Sequence, residues 1–207
     1  MIIGVTGGIA SGKSEVCRIL ERNGFLHIDA DHAAHEVLTW AEVISILRAE
    51  FGGEILAARS ENETPTINRS ALSAIVFSDP DKMKFLEETT RPRIVSYIKD
   101  FIRNHPQNDI VVEGIALVST GIYKEFDEVW VVRVDKATQI QRLMEKRNMS
   151  REDAEKRLAS QEKHDWDDIT PTRVIDSSVP LDDMTRFVED AVKDGRNSCK
   201  IKLDLLN

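Results

Sequence analysis

Gly7-Gly8-Ile9-Ala10-Ser11-Gly12-Lys13-Ser14 decides how this chain is read. The stretch fits the pattern G-x-x-x-x-G-K-[ST]. The fully apolar run Ile2-Ile3-Gly4-Val5-Thr6 precedes it and reads as a strand buried in a parallel sheet. Residues 13–23 follow as an amphipathic helix, with Val16, Ile19 and Leu20 on one face and Gly24 as its C-terminal cap. Gly7 and Gly12 allow backbone angles that other residues resist. The loop between them can then turn successive N–H groups toward an anion, and the positive end of the next helix faces the same point. The spacing therefore predicts that Gly8, Ile9, Ala10, Ser11, Gly12, Lys13, Ser14 and Glu15 cradle the phosphates of ATP. Lys13 would bridge the β- and γ-phosphates, and the Ser14 hydroxyl would ligate Mg²⁺.

Outward from this loop, residues 25–29, 110–113, 129–135 and 174–176 read as further strands, with helical patterns between them. The expected fold is a three-layer α/β/α sandwich around a parallel sheet of about five strands, with right-handed crossovers. The chain is expected to form one domain over 1–207, with a core at about 1–30, 105–140 and 170–200. Residues 31–104 are far more than one crossover needs and predict a helical substrate-binding insertion. Within it, Ser78-Asp79-Pro80 starts one helix. Residues 92–104 read as another, with Ile94, Ile98, Phe101 and Ile102 on one face. Residues 52–66 read as a mobile loop rich in turn formers. Residues 136–147 and 150–163 are two charged helices, parted by a break near Asn148 and restarted by the capping box of Ser150 and Asp153. This pair, about 141–163, is expected to be a mobile lid.

The bulk numbers narrow the function classes. The chain has 207 residues, 41% hydrophobic and 31% charged, and a formal net charge of −8. That acidic balance disfavours a nucleic-acid binder. No apolar run reaches membrane-spanning length, and the N-terminus carries no secretory pattern, so a cytoplasmic protein is expected. Nothing indicates an obligate protein partner. Cys17 and Cys199 show no metal-ligand spacing and are expected to be free thiols. His27, His32, His105 and His164 show none either. Trp40, Trp130 and Trp166 are expected to pack rather than to stack on a base.

A phosphate loop alone does not separate a switch GTPase from a kinase. No glycine here has Asp three residues before it, and no Asn is followed by Lys. The guanine-switch patterns Asp-x-x-Gly and Asn-Lys-x-Asp are therefore missing, which favours a kinase with a small acceptor. Asp29-Ala30-Asp31 ends the second strand, where ligands bind in open α/β sheets. A carboxylate there can take the proton of an attacking hydroxyl. Alternatively, either aspartate caps a helix starting near His32. Glu113 ends the third strand and either reaches Mg²⁺ through water or is a solvated strand end.

The ordered set of motifs resembles the dephospho-coenzyme A kinase family. The loop from Thr6 to Ser14 is followed by Ile28-Asp29-Ala30-Asp31 and Ala34. Next come Asn68-Arg69-Ser70-Ala71-Leu72, Val76-Phe77-Ser78-Asp79-Pro80 and Thr90-Arg91-Pro92-Arg93-Ile94. Gln139-Ile140-Gln141-Arg142-Leu143-Met144, a run from Ser150 to Gln161, and Val174-Ile175-Asp176-Ser177 complete it. The resemblance implies transfer of the ATP γ-phosphoryl group to the ribose 3′-hydroxyl of dephospho-coenzyme A. It implies that Lys13, Asp31 and Arg142 are catalytic, that Asp31, His35 and Arg91 bind the acceptor, and that Arg142, Lys146, Arg147 and Arg157 belong to the lid. Departures stand at Glu15, where the family usually has Thr, and at His35 and Arg91. After the third strand, Glu113-Gly114-Ile115-Ala116-Leu117-Val118-Ser119 replaces Asp-x-Pro-Leu-Leu-Phe-Glu. A related kinase for another nucleotide or ribosyl acceptor is the second reading, and a nucleotide-binding regulator without turnover the third.

Overall fold

In the computed structural model, which describes residues 1–57, 65–160 and 169–204, the chain opens with β1 (Ile2–Thr6), α1 (Lys13–Arg22) and β2 (Leu26–Asp29). Four helices follow: α2 (Ala30–Val37), α3 (Ala41–Phe51), α4 (Arg69–Phe77) and α5 (Pro80–Asn104). The chain then runs through β3 (Ile110–Glu113), α6 (Ala116–Thr120), β4 (Glu128–Arg133), α7 (Lys136–Arg147), α8 (Arg151–Ala159), β5 (Arg173–Asp176) and α9 (Leu181–Asp204). Two compact units divide it: Met1–Asp29 with His105–Asn207, and Ala30–Asn104.

In the first unit, the five strands form one parallel sheet in the order β2-β3-β1-β4-β5. The connection leaving β1 leads outward to β2, while that leaving β3 leads to β4 on the other side. The strand order therefore reverses between β1 and β3. A crevice opens at the carboxyl ends of two such strands, the usual ligand position in open α/β sheets. The register pairs Val5 with Glu113, so the chain leaving β1 and the end of β3 lie side by side.

Alternation along the strands explains the layers. Ile3, Val5, Val111, Trp130, Val132 and Ile175 point to one face, where α1 and α9 cover them. α1 contributes Val16, Cys17, Ile19 and Leu20, and α9 contributes Met184, Val188, Ala191 and Val192 at helical spacing. Each such aliphatic side chain stabilises the fold by roughly 1.5–3 kcal/mol. Trp130 is a packing residue, fully buried, with Nε1 donating to Glu128 Oε2 at 2.6 Å.

In the second unit, α2, α3 and α4 pack on α5. The Asn68 side chain accepts from the Ala71 N–H and caps α4, which is why that helix starts at Arg69. Phe51 meets Phe85 edge to face at 5.7 Å. The sequence predicts two helices where the structure has α5 alone, with Pro92 inside it. Proline removes one N–H and crowds the carbonyl four residues back. Neighbouring side chains cover backbone oxygens on that turn: Arg93 donates to the Thr89 carbonyl at 2.6 Å, and Thr90 Oγ1 to the Leu86 carbonyl at 2.8 Å. Most of the loop expected over 52–66 lies outside the described residues. Its flanks are a 3-10 turn at Gly53–Ile55 and an antiparallel bridge between Leu56 and Ile67.

One polar knot ties the starts of β1 and β3 to α9. Asp109, just before β3, accepts from the Met1 ammonium at 2.7 Å and from Arg196 of α9 at 2.8 Å. Burial alone would raise the Asp109 carboxyl, but these two cations outweigh it and hold it below its ordinary value. A depressed carboxyl stabilises the fold fully above its unfolded value of about 4, and the contribution fades as pH falls through the lower folded value. Asp109→Asn is therefore expected to lower unfolding free energy by about 1 kcal/mol at neutral pH, after allowance for solvent screening. Urea denaturation at pH 7 and pH 3 should show this gap closing in acid. A gap of equal size at both values would mean that the carboxylate charge contributes nothing.

Candidate active site

The phosphate loop holds three residues in left-handed backbone geometry: Gly7 at φ 146°, Ala10 at 56° and Gly12 at 99°. Gly7 is also sterically required, since a Cβ there would fall 2.3 Å from the Val132 carbonyl oxygen. Ala10 pays about 1 kcal/mol for an angle that suits glycine, the kind of strain kept at ligand-binding turns. The loop closes through Ser11 N–H to the Gly8 carbonyl at 3.2 Å. The Thr6 and Ser11 hydroxyl oxygens are buried without hydrogen-bond partners. α1 begins at Lys13, so its positive end sits on the loop. The Lys13 ammonium donates to the Gly7 and Gly8 carbonyls at 2.9 and 3.0 Å, which keeps a cation at the loop. Glu15 lies in the first turn of α1 and pairs with Arg18 at 2.6 Å.

The Ser14 hydroxyl donates to Glu113 Oε1 at 3.0 Å. The sequence leaves Glu113 open between a metal role and a solvated strand end. The structure removes the second choice, because Glu113 is buried. Burial alone would raise its carboxyl. Contacts from His27 and Ser14, with the Lys13 charge, outweigh that and keep it below its usual value. His27 Nε2 lies 3.3 Å from Glu113 Oε2, and Nδ1 lies 3.4 Å from Glu21 Oε1. Glu113 is the main reason that the imidazole is shifted up; burial opposes it, while Glu21 and Asp29 add to it. The strand register explains the meeting. His27 pairs with Val111, two residues before Glu113, so both side chains stand on one face of the sheet. Cys17 of α1 packs against that face. Chain spacing hides this cluster of Cys17, His27 and Glu113, because strand pairing and helix packing create it.

Arg142 is the residue that most changes the sequence reading. Nη1 donates to the Ala10 carbonyl at 3.2 Å and to Ser177 Oγ at 2.9 Å, and Nη2 donates to the Ser177 carbonyl at 2.7 Å. Ser177 Oγ in turn donates to the Ser11 carbonyl. Gln139 Nε2 donates to the Ile9 carbonyl at 2.8 Å. Ile9, Ile140, Leu143, Ala154 and Leu158 form a buried cluster, so α7 and α8 pack on the loop. Arg142, expected as part of a mobile lid, is half-buried and braced against the loop. Ser177 and Gln139 were not singled out as site residues, although both stand in the motifs quoted above. Lys146, Arg147 and Arg157 are exposed. The end of the expected lid, 161–163, lies outside the described residues, as do His164 and Trp166.

Asp29 ends β2 in register with Glu113. Asp31 lies in the first turn of α2, which opens at Ala30, two residues earlier than a cap at Asp31 would require. The strand stops at Asp29, so an argument that both aspartates project the same way along it does not hold. In the second unit, His35 is exposed in the last turn of α2, and Arg91 pairs with Glu87 on α5 at 2.8 Å. The structure thus brings Lys13, Ser14, Arg142 and Glu113 to the loop, and places Asp31, His35 and Arg91 on helices of the other unit.

Comparison with known proteins gives a consistent picture. The sequence profile of the dephospho-CoA kinase family matches residues 1–182. A dephospho-CoA kinase from Geobacter metallireducens is 41% identical over 165 residues, covering 78% of this chain and 80% of that protein. A crystal structure from Thermus thermophilus superposes with a TM-score of 0.76 at 24% identity, covering 94% of this chain and 97% of that one, and speaks for the fold. The dephospho-CoA kinase from Campylobacter jejuni superposes with a TM-score of 0.59 at 26% identity, covering 94% and 96%.

The bracing of Arg142 generates a test. Arg142→Ala removes three hydrogen bonds from a charged donor and exposes loop carbonyls. The ligand-free protein is expected to lose about 1–2 kcal/mol of stability as well as activity. A thermal melt without ligand reads the first effect. An unchanged melting temperature would show that these contacts hold nothing in place.

Proposed function

The chain belongs to the dephospho-coenzyme A kinase family and phosphorylates dephospho-coenzyme A at the expense of ATP, and we propose that it delivers the γ-phosphoryl group to the ribose 3′-hydroxyl by in-line transfer. The observation that carries this reading is the Ser14–Glu113 contact beside an intact phosphate loop, at the point where the strand order reverses.

The loop N–H groups and the start of α1 bind the β-phosphate, and the Lys13 ammonium neutralises charge that builds toward the γ-phosphate. Ser14 and Glu113 supply a hydroxyl and a carboxylate, hard oxygen donors that fit Mg²⁺. When bound, Mg²⁺ offsets the negative charge on the phosphoryl oxygens. Arg142, already oriented by Ser177 and the Ala10 carbonyl, offers its remaining donor capacity to the transferring group. Asp31 takes the proton of the acceptor hydroxyl as the new P–O bond forms and the bond to ADP breaks. His35 and Arg91 are the side chains we assign to the acceptor side. α7 and α8 cover the loop and keep water from competing as the acceptor.

No helix among the described residues is long and apolar enough to cross a membrane. We place the protein in the cytoplasm, acting on small molecules without an obligate partner chain.

Incubation with ATP and Mg²⁺ against dephospho-coenzyme A, AMP, UMP and pantothenate should show clear preference for the first. Comparable turnover on a mononucleotide would favour the related-kinase reading, and no turnover on any acceptor the regulator. Lys13→Ala is expected to reduce kcat by about 10²–10³-fold. Asp31→Asn keeps shape while removing the carboxylate, so kcat should fall with ATP affinity nearly unchanged. Near-normal kcat in that variant would move the base assignment to Asp29.

A further inference from the structure

Behind the phosphate loop, Cys17, His27 and Glu113 converge from α1, β2 and β3. Their ligand atoms all lie within 4.8 Å of one another, the metal-competent group among the described residues. The reaction described above uses Glu113 only, and gives neither Cys17 nor His27 a task. The pair of His27 Nε2 and Glu113 Oε2 is already 3.3 Å apart. Ligand bonds of about 2.0–2.2 Å at a tetrahedral angle around Zn²⁺ place a nitrogen and an oxygen about 3.4 Å apart. One edge of a coordination tetrahedron is therefore present. Nε2 is buried and makes no hydrogen bond, so its contact with Glu113 is proximity without alignment. Behind the ring, Nδ1 faces the Glu21 carboxylate at 3.4 Å. A carboxylate behind a histidine, with the other nitrogen turned inward, is how metal-binding imidazoles are commonly oriented.

We propose that Cys17, His27 and Glu113 form a site for a thiophilic divalent cation, of which Zn²⁺ is the fitting example, and that its occupancy takes up the Glu113 charge that otherwise serves Ser14 and Mg²⁺ and so slows phosphoryl transfer. The donor set is one sulfur, one nitrogen and one oxygen. It suits Zn²⁺, whereas Mg²⁺ takes oxygen donors alone. On binding, the Cys17 S–H bond breaks, a sulfur–metal bond forms and the proton passes to solvent. Neutral His27 donates the Nε2 lone pair, and water fills the fourth position, as in sites with three protein ligands. His27 is the least buried of the three and marks the side of entry. Glu113 Oε1 holds the Ser14 hydroxyl while Oε2 faces His27, so an ion bound at Oε2 neutralises charge that the carboxylate otherwise offers at Oε1. The inhibitory half of the proposal rests on the role given to Glu113 above, whereas binding stands apart from it.

The test uses the full chain, stripped of metal and free of nucleotide, titrated with Co²⁺ as a spectroscopic stand-in for Zn²⁺. A thiolate-to-cobalt charge-transfer band and the intense visible bands of four-coordinate cobalt are expected, both displaced by Zn²⁺. Cys17→Ala should abolish the charge-transfer band, and Glu21→Gln should weaken binding about tenfold through loss of His27 orientation. No band, or one that survives in Cys17→Ala and so comes from Cys199, overturns the site. In the kinase assay at fixed Mg²⁺ and ATP, Cys17→Ala should match the parent without zinc and need about tenfold more zinc or more to reach half inhibition. Equal sensitivity of the two proteins overturns the coupling through Glu113. The cobalt spectrum does not depend on turnover, so failure of the kinase reading leaves the binding result intact.

Discussion

The parallel pairing of β1 with β3 is the constraint on which the rest of the site depends. It sets Val5 opposite Glu113. The chain that leaves β1 as a phosphate loop therefore returns, at Ser14, to a carboxylate carried by a strand 99 residues away. A shift of one residue in this register would turn Glu113 to the opposite face of the sheet. Ser14 would lose its partner and a carboxylate would enter the packing on the other side. The apolar strand face beneath α1 and α9 prevents that slip, because Val111, on the same face of β3 as Glu113, would leave the core with it. Packing thus fixes the position of a charged group it does not touch chemically.

A second brace acts from the other side. Arg142 and Gln139 sit three residues apart on α7, one turn of helix, and both donate to loop carbonyls. Their targets, Ile9 and Ala10, belong to a loop whose N–H groups are reserved for an anion. Carbonyls on the outside of such a loop need donors from elsewhere. α7 supplies them, and Ser177 after β5 passes the same chain of hydrogen bonds on to Ser11. The positive φ at Ala10 is maintained inside this network rather than by local preference. Charge near the phosphates and shape of the loop therefore come from the same arginine, so the two roles cannot be varied independently.

The fold was legible because its signals are local. Ile2–Thr6 and Ile110–Glu113 are short, mostly apolar runs, and the structure forms strands over those same spans. The parallel α/β/α sheet followed from their alternation with helical patterns. Pro92 misled because proline is a local breaker, whereas α5 continues with Arg93 and Thr90 covering carbonyls of that turn. The loop residues were readable from one motif, but the bracing of Arg142 was not. On a charged helix nothing in the spacing distinguishes a half-buried arginine from a solvated one such as Arg157. His27 and Cys17 escaped for a related reason. Ten residues separate them and eighty-six separate His27 from Glu113 in the sequence, and only register and helix packing bring the three together.

Glu113 shows what such a site requires of a buried charge. A carboxylate this enclosed is unfavourable unless donors surround it. Here the Ser14 hydroxyl donates to it, the His27 imidazole and Lys13 ammonium lie nearby, and together they keep it ionised. Ionisation is what lets it hold the Ser14 hydroxyl and attract a cation. The same crowding pushes the neighbouring Cys17 thiol the other way, since burial and then the Glu113 charge both disfavour a thiolate. The thiol is therefore held protonated beside the ionised carboxylate. Only a positive charge placed between them would relieve both groups at once. The electrostatics that prepare one carboxylate for phosphate chemistry thus leave a protonated sulfur beside it, whose proton a metal ion has to displace.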